Sequence, residues 1–212
     1  MSNTLGIVGA GKLGMALARS ALAAGFEVII TSRDASSTWL IAEVMAPGAR
    51  VGTLADIAAQ ADIVVLAVPL FRLRELPRNA FDGKIVIDAI NYWEPVDGNI
   101  EKFGIAKAET SALVQSHFSG ARVVKGLNQL GYHDVEDGRK PKGVPDRLGV
   151  AVAGDDPEAV AAVKEFVDKL GFEPIEAGRL VDGARLGPGG AAFGAALDAG
   201  ELWRALGLGL SG

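Results

Sequence analysis

The stretch Leu5-Gly6-Ile7-Val8-Gly9-Ala10-Gly11-Lys12-Leu13-Gly14 decides the reading of this chain. Residues 5–8 form a short apolar run of strand type, and from Lys12 onward the apolar spacing turns helical. A glycine triplet between a strand and a helix has a separate task for each glycine. Gly9 permits the tight turn, Gly11 lets a ligand's pyrophosphate approach the backbone, and Gly14 lets the helix lie close on the strand. The free N–H groups and the positive end of the helix then face the phosphates. Gly14, Leu17, Ala18 and Ala21 give that helix a small, flat face to press on a sheet.

Outward from this motif, β-rich runs alternate with helical patterns. Strands are read at 5–8, 27–31, 50–52, 63–68, 84–89 and 122–126, and helices at 12–24, 37–45, 54–61, 70–79 and 110–118. Nearly continuous apolar strands belong to a parallel sheet covered on both faces, so the fold class is α/β, a Rossmann-type doubly wound sheet. Residues 132–147, rich in charge, Gly and Pro, read as a long loop. Beyond it come a strand at 148–153, a helix opened by Asp155-Asp156-Pro157-Glu158 and running to Leu170, and a strand at 172–176. A helical run at 191–206 follows a Gly187-Pro188-Gly189-Gly190 turn. The expected organisation is a dinucleotide-binding core at 1–131, with 148–212 extending the same sheet as a short C-terminal extension.

The second strand speaks to the choice of dinucleotide. NAD sites place a carboxylate at its end, whereas this strand ends Ile30-Thr31-Ser32-Arg33. Two hydroxyls and a forked guanidinium suit the 2′-phosphate of NADP(H). Asp34, one step on, either caps the next helix or binds ribose as in an NAD site. Three more segments fall at the carboxyl edge of the sheet, where ligands of open α/β sheets bind. Ala67, Val68 and Pro69 offer an apolar shelf, although Pro69 serves equally well as a strand terminator. Asn91 and Asn128 can reach nicotinamide or its ribose, or close Asx turns. The candidate nucleotide-binding set is Gly9, Ala10, Gly11, Lys12, Leu13, Gly14, Thr31, Ser32, Arg33, Ala67, Val68, Pro69, Asn91 and Asn128.

Composition excludes several other classes. The net charge of −5 lacks the electrostatic footprint of a nucleic-acid binder. The absence of cysteine removes disulfides, thiolate catalysis and Cys-ligated metal, and two histidines are too few for a His-rich metal site. Met1-Ser2-Asn3-Thr4 is not a targeting leader, and no apolar run approaches the roughly 20 residues of a membrane helix, so a cytoplasmic protein with no membrane partner is expected. No catalytic acid–base constellation is evident. His117 reads as a helix-end histidine, His133 as a loop histidine, and Trp93 and Phe103 as pocket walls or core residues.

The motif residues, with Leu66-Ala67-Val68-Pro69, Val86-Ile87-Asp88-Ala89-Ile90-Asn91 and Val123-Val124-Lys125-Gly126-Leu127-Asn128, resemble the NADP oxidoreductases that use the deazaflavin coenzyme F420. The likeness runs on through Val150-Ala151-Val152-Ala153-Gly154-Asp155-Asp156 to Gly178-Arg179-Leu180. The chain is also similar to the soluble NADPH-binding domain of the STEAP ferric reductases. These resemblances imply an oxidoreductase that moves a hydride between NADP(H) and a deazaflavin or flavin, chiefly by positioning two rings. Where the deazaflavin reductases carry a histidine this chain has Asn128, as the ferric-reductase domains do. Other readings are a catalytically idle NADP(H) sensor and a small-molecule NADP-dependent reductase. Enzymes of the latter kind build their substrate site from a large C-terminal helical domain, for which the residues after Gly178 are too few. The second substrate is expected between residues 91–103 and 128–147, steered by Arg139, Lys140, Lys142 and Arg147. A homodimer is expected from the apolar stripe Leu197, Leu202, Trp203 and Leu206.

Overall fold

Strands whose two faces are both apolar can be stable only between two helical layers, and the chain supplies both. The computed structural model describes residues 3–209, apart from the side chains of residues 35–37; the Met1-Ser2 start lies outside the described residues. The order is β1 (Thr4–Val8), α1 (Lys12–Ala23), β2 (Glu27–Thr31), α2 (Ala35–Met45), β3 (Arg50–Val51), α3 (Leu54–Gln60), β4 (Ile63–Leu66) and β5 (Ile85–Asp88). Then follow α4 (Glu94–Asp97), α5 (Thr110–His117), β6 (Arg122–Lys125), α6 (Tyr132–Asp137), β7 (Gly149–Gly154), α7 (Pro157–Leu170), β8 (Glu173–Glu176) and α8 (Ala199–Ala205). Among the described residues the strands form one sheet in the order β3-β2-β1-β4-β5-β6-β7-β8. Strands β1 to β6 are mutually parallel, and β7 runs antiparallel to β6. This is a Rossmann-type doubly wound sheet.

Register fixes where chemistry can occur. Val8 pairs with Thr31 and with Leu66, Leu66 with Asp88, and Asp88 with Lys125, so five strands end on one line. The strand order reverses between β1 and β4, and the loops leaving this edge diverge there into a crevice. One face of the sheet is packed by Leu17, Ala18 and Ala21 of α1, Val135 of α6 and Phe166 of α7. The other is packed by Ile57 of α3, Leu73, Phe81 and Val114 of α5. Side chains such as Ile7, Val65 and Ile87 are fully buried, each contributing about 1.5–3 kcal/mol relative to exposure.

Local signals set the helix ends. Thr53 and Asp56 form a reciprocal capping box on α3, and the Asp156 carboxylate accepts from the Ala159 N–H at 2.8 Å to start α7. Three expected elements come out differently. The expected helix 70–79 is a 3-10 turn over Leu70–Glu75, because Pro77 drives Leu76 to an extended conformation with ψ 137°. The expected loop 132–147 opens with α6, whose Val135 is buried against α1 and whose Glu136 pairs with Arg19. Tertiary packing makes that turn helical despite a sequence with little periodicity. The expected helix 191–206 shortens to α8, which begins only where Asp198 and Glu201 supply a capping box.

The C-terminal stripe faces inward. Leu202 and Leu206 are buried against Ala151, Ala153 and Ile175, with Leu197 and Trp203 packed beside them. That use of the stripe removes the argument on which the homodimer rested. The cations of 139–147 also have structural employment. Arg139 donates to the Leu170 carbonyl at 2.8 Å, and Lys140 to the Asp146 carbonyl at 2.9 Å. Lys142 pairs with Asp168 at 2.9 Å, and the buried Arg147 bridges Asp168 at 2.9 Å and Glu173 at 2.6 Å. Arg139, Lys142 and Arg147 anchor the loop to α7 and β8, and Lys140 closes the loop on itself.

The Lys142 contact, with help from Arg147 and against the cost of partial burial, holds the Asp168 carboxyl below the ordinary value of 3.8. We expect Arg147→Met to lower unfolding free energy at neutral pH by about 1.5–3 kcal/mol in urea titrations, with NADPH affinity unchanged. Folded Asp168 binds fewer protons than unfolded Asp168 between 3.8 and its lowered value. The deficit of the variant should therefore shrink as the pH falls through that window.

Candidate active site: a nucleotide groove beside a second cavity

The glycine turn is built by close approaches. Gly9 has φ +118°, and its N–H donates to the Thr31 carbonyl at 2.8 Å. A Cβ on Gly9 would lie 2.2 Å from the Ala67 carbonyl oxygen, and one on Gly14 only 1.9 Å from the Gly9 carbonyl oxygen. A Cβ on Gly11 would meet nothing within 4 Å. Gly9 and Gly14 thus bring the turn, the end of β4 and the first turn of α1 into backbone contact, while the space over Gly11 stays open. No acidic residue stands in the first turn of α1 to compete with an anion there.

That open space belongs to a groove of about 670 Å³. Gly9, Ala10 and Gly11 border it from the turn, Thr31, Ser32 and Arg33 from the end of β2, and Ala67, Val68 and Pro69 from the end of β4. Nine of the fourteen candidate residues therefore converge on one groove. Lys12 reaches Tyr132 instead, its Nζ 3.5 Å from the hydroxyl and 5.0 Å from the ring centre. Leu13 packs on the core, and Gly14 lies beneath Gly9. Sequence reading missed Thr38, Phe71, Arg72 and Val96 on the groove wall. Thr38 Oγ1 bonds the Asp34 carbonyl at 2.6 Å and shares a short hydrogen bond with the Ser32 hydroxyl. Arg33 is exposed and has no ion pair among the described residues.

Asn91 and Asn128 lie off the groove and hold each other. Asn91 Nδ2 donates to the Asn128 carbonyl at 2.8 Å, and Asn128 Nδ2 donates to Asn91 Oδ1 at 3.0 Å and to the Leu186 carbonyl at 2.8 Å. Asn128 and Gln129 are buried, yet Asn128 Oδ1 and both amide atoms of Gln129 have no partner among the described residues. Buried amides left unpaired are costly, and a bound polar group that reaches them relieves that cost.

Asn91 lines a second cavity of about 610 Å³ on the far side of α4. Residues 90–95 form one wall, with the half-exposed Trp93 presenting its ring, and Gly183 to Gly190 form the other. Residues 128–147, expected as that second wall, take no part in it; the Gly187-Pro188-Gly189-Gly190 turn does. Val96 borders the groove while Trp93, Glu94 and Pro95 border the cavity, so α4 is the partition between them. Its position is fixed by the buried Asp97, which accepts from the Phe71 N–H at 3.0 Å and the Trp93 N–H at 2.7 Å.

Two ionisable residues on the cavity side also escaped notice. Lys125, which lines the cavity, is buried with its Nζ 3.3 Å from Asp88 Oδ2. Burial pushes its ammonium below the ordinary lysine range, and Asp88 opposes that shift. The signal was present: a charged residue follows an apolar pair at the end of each of two neighbouring strands, Val86-Ile87-Asp88 and Val123-Val124-Lys125. The two histidines are structural or peripheral. His117 Nε2 bonds the Leu76 carbonyl at 2.9 Å, and His133 stacks on Tyr132; neither borders groove or cavity. Phe103 is a core residue.

Comparison with known proteins agrees with the fold. Residues 4–92 match the family described as NADP oxidoreductase, coenzyme F420-dependent. The hypothetical protein SMa0349 of Sinorhizobium meliloti superposes with a TM-score of 0.78 at 28% identity, covering 92% of this chain and 95% of that one. A candidate F420-dependent NADP reductase from Arthrobacter sp. FB24 gives 0.69 at 25% identity, covering 83% and 84%. Mycobacterium tuberculosis 3-hydroxyisobutyrate dehydrogenase shares the fold, with a TM-score of 0.63 at 19% identity, over 87% of this chain and 57% of that enzyme. The Escherichia coli K12 protein YjhV is 41% identical over 54 residues, which is 26% of this chain and 39% of YjhV. The family match and these neighbours support an NAD(P)-binding oxidoreductase of Rossmann type. Among the described residues no helix is long and apolar enough to cross a membrane.

The two glycines beside the phosphate position give opposite expectations. Gly11→Ala should leave the denaturation midpoint near that of the parent and abolish NADPH binding, because its methyl enters the open space over the turn. Gly14→Ala should lose roughly 1–3 kcal/mol of stability or more, because its methyl meets the Gly9 carbonyl. Thermal melts paired with calorimetry of NADPH separate the two effects.

Proposed function

We propose that this NAD(P)-binding oxidoreductase uses NADP(H) and transfers a hydride between it and a deazaflavin such as coenzyme F420, or a flavin, held in the second cavity. The observation that carries the reading is the pair of adjoining spaces at one sheet edge, separated only by α4. For the rings to meet, the nicotinamide end of a dinucleotide in the groove would pass α4 along the ends of β4 and β5 and enter the cavity beside the planar ring, where two rings at reacting distance need little side-chain chemistry.

The residues present fit NADP(H). Backbone N–H groups over Gly11 would hold the pyrophosphate at the start of α1. The Ser32 hydroxyl and the exposed Arg33 guanidinium would take the 2′-phosphate, with Thr38 fixing Ser32. Val68 and Pro69, on the groove wall, would carry the apolar faces of the dinucleotide. Bound NADPH supplies the hydride from C4 of its nicotinamide. The chain's own work is to orient both rings and exclude water from the space between them. Trp93 at the cavity mouth and the Pro188 turn opposite it give a flat acceptor apolar surfaces to lie against.

Calorimetry tests the cofactor and anaerobic assays test the acceptor. NADPH should bind more tightly than NADH. Arg33→Ala should cost NADPH about 1.5–3 kcal/mol, or roughly 10- to 160-fold, and leave NADH nearly unchanged. Equal affinities in the parent protein would overturn the NADP(H) assignment. Reduction of F420, FMN or FAD by NADPH should be measurable; tight NADPH binding with no turnover of any of them would favour a nucleotide sensor.

A further inference from the structure

The floor of the second cavity holds a charge pair that nucleotide binding does not use. Asp88 and Lys125 are register partners at the ends of β5 and β6, with side chains fully buried and 3% exposed. The Asp88 carboxylate is fully occupied. Oδ1 accepts from the Ile90 N–H at 3.0 Å, and Oδ2 from the Ser111 hydroxyl at 2.8 Å and from Lys125. Lys125 Nζ donates to Asp88 and to the Ile90 carbonyl, which leaves its third N–H without a protein acceptor among the described residues. Its stem is clamped where Gly183 packs on it; a Cβ on Gly183 would lie 2.8 Å from both Lys125 Cβ and Cγ.

Pairing alone does not account for this arrangement. A buried ion pair is seldom more stable than an apolar pair of similar size, because desolvation cancels most of the attraction. Other charges at the cavity are engaged and more exposed. Lys107 stands 4.0 Å from Glu94, and Arg185 pairs with Asp182 at 3.7 Å while donating to the Leu206 and Ala177 carbonyls. Lys125 is the lining cation that is both buried and short of an acceptor.

We propose that Lys125, positioned by Asp88, contacts the acceptor in this cavity and stabilises the negative charge its ring acquires on reduction. The inference rests on the acceptor reading above. Hydride transfer breaks the nicotinamide C4–H bond and forms a bond to hydrogen at the central ring of the acceptor, C5 in a deazaflavin or N5 in a flavin. The nicotinamide is oxidised and the acceptor reduced, and the displaced electron pair settles on the N1–C2 carbonyl edge. An ammonium at that edge offsets this charge where little water competes, and Lys125 keeps its proton throughout. The reduced acceptor leaves as the anion or takes its proton from solvent.

The test compares binding of the two redox forms, using FMN and F420, each oxidised and chemically reduced under anaerobic conditions. Lys125→Met, with Asp88→Asn/Lys125→Met to avoid leaving a buried carboxylate unpaired, should weaken the reduced forms at least tenfold and the oxidised forms less than threefold. NADPH affinity should be unchanged, and Lys125→Arg should recover part of the loss. In the parent protein, bound reduced FMN should ionise at N1 at a lower pH than free reduced FMN, a spectroscopic result that needs no variant. Equal loss of both redox forms, no loss of either, or an unshifted N1 ionisation would overturn the role of Lys125 and leave the acceptor reading standing. Failure of the parent protein to bind FMN or F420 while it binds NADPH would remove the acceptor reading and Lys125 with it.

Discussion

The architecture depends on backbone meeting backbone at the β1–α1 turn. Gly9 sits against the Ala67 carbonyl and Gly14 against the Gly9 carbonyl, at separations no side chain tolerates. These contacts pull α1 onto the sheet, aim its N-terminus along the carboxyl edge, and bring the ends of β1, β2 and β4 around one groove. A cavity-filling methyl elsewhere in the core would shift a side chain; here it would have to move a strand end or a helix.

The same edge carries the functional groups because register places them there. Thr31, Val8, Leu66, Asp88 and Lys125 end five parallel strands in line. Toward β2 the line is hydroxyl-rich and flanked by an exposed guanidinium, which suits phosphate. Toward β6 it becomes a buried ion pair under a cavity walled by Trp93 and a glycine-rich turn. Between the two lies α4, pinned by Asp97 to the segment after β4. A short helix held by one buried carboxylate is therefore what separates the nucleotide groove from the second cavity.

The fold was largely legible in the sequence because its signals are local. Apolar strands, the glycine triplet and the Asp155-Asp156-Pro157-Glu158 start all act within a few residues. Of the three departures, two have local causes, at Pro77 and at the Asp198–Glu201 capping box, and distant contacts decide the third. α6 forms because Val135 is buried against α1, and the C-terminal stripe turns inward because β7 and β8 leave an apolar face for it. The nucleotide side was legible for the same local reason, since turn chemistry and a strand end announce it. The cavity side was not: its walls lie some ninety residues apart in the chain, and Lys125 and Asp88 gain meaning only once β5 and β6 are paired. The four cations of 139–147 looked available in sequence and prove to be structural, since Asp168, Glu173 and the Leu170 carbonyl lie within reach only after folding.

Direct transfer between adjoining sites is the central claim, and isotope tracing tests it most directly. Stereospecifically deuterated NADPH would be oxidised by the protein with F420 or a simple 5-deazaflavin as acceptor, in ordinary water, and the product examined by mass spectrometry and NMR. Because the C5–H bond of a reduced deazaflavin does not exchange with water, one face of the nicotinamide should deliver its deuterium quantitatively to C5. Appearance of the label in solvent, with only protium at C5, would contradict the account.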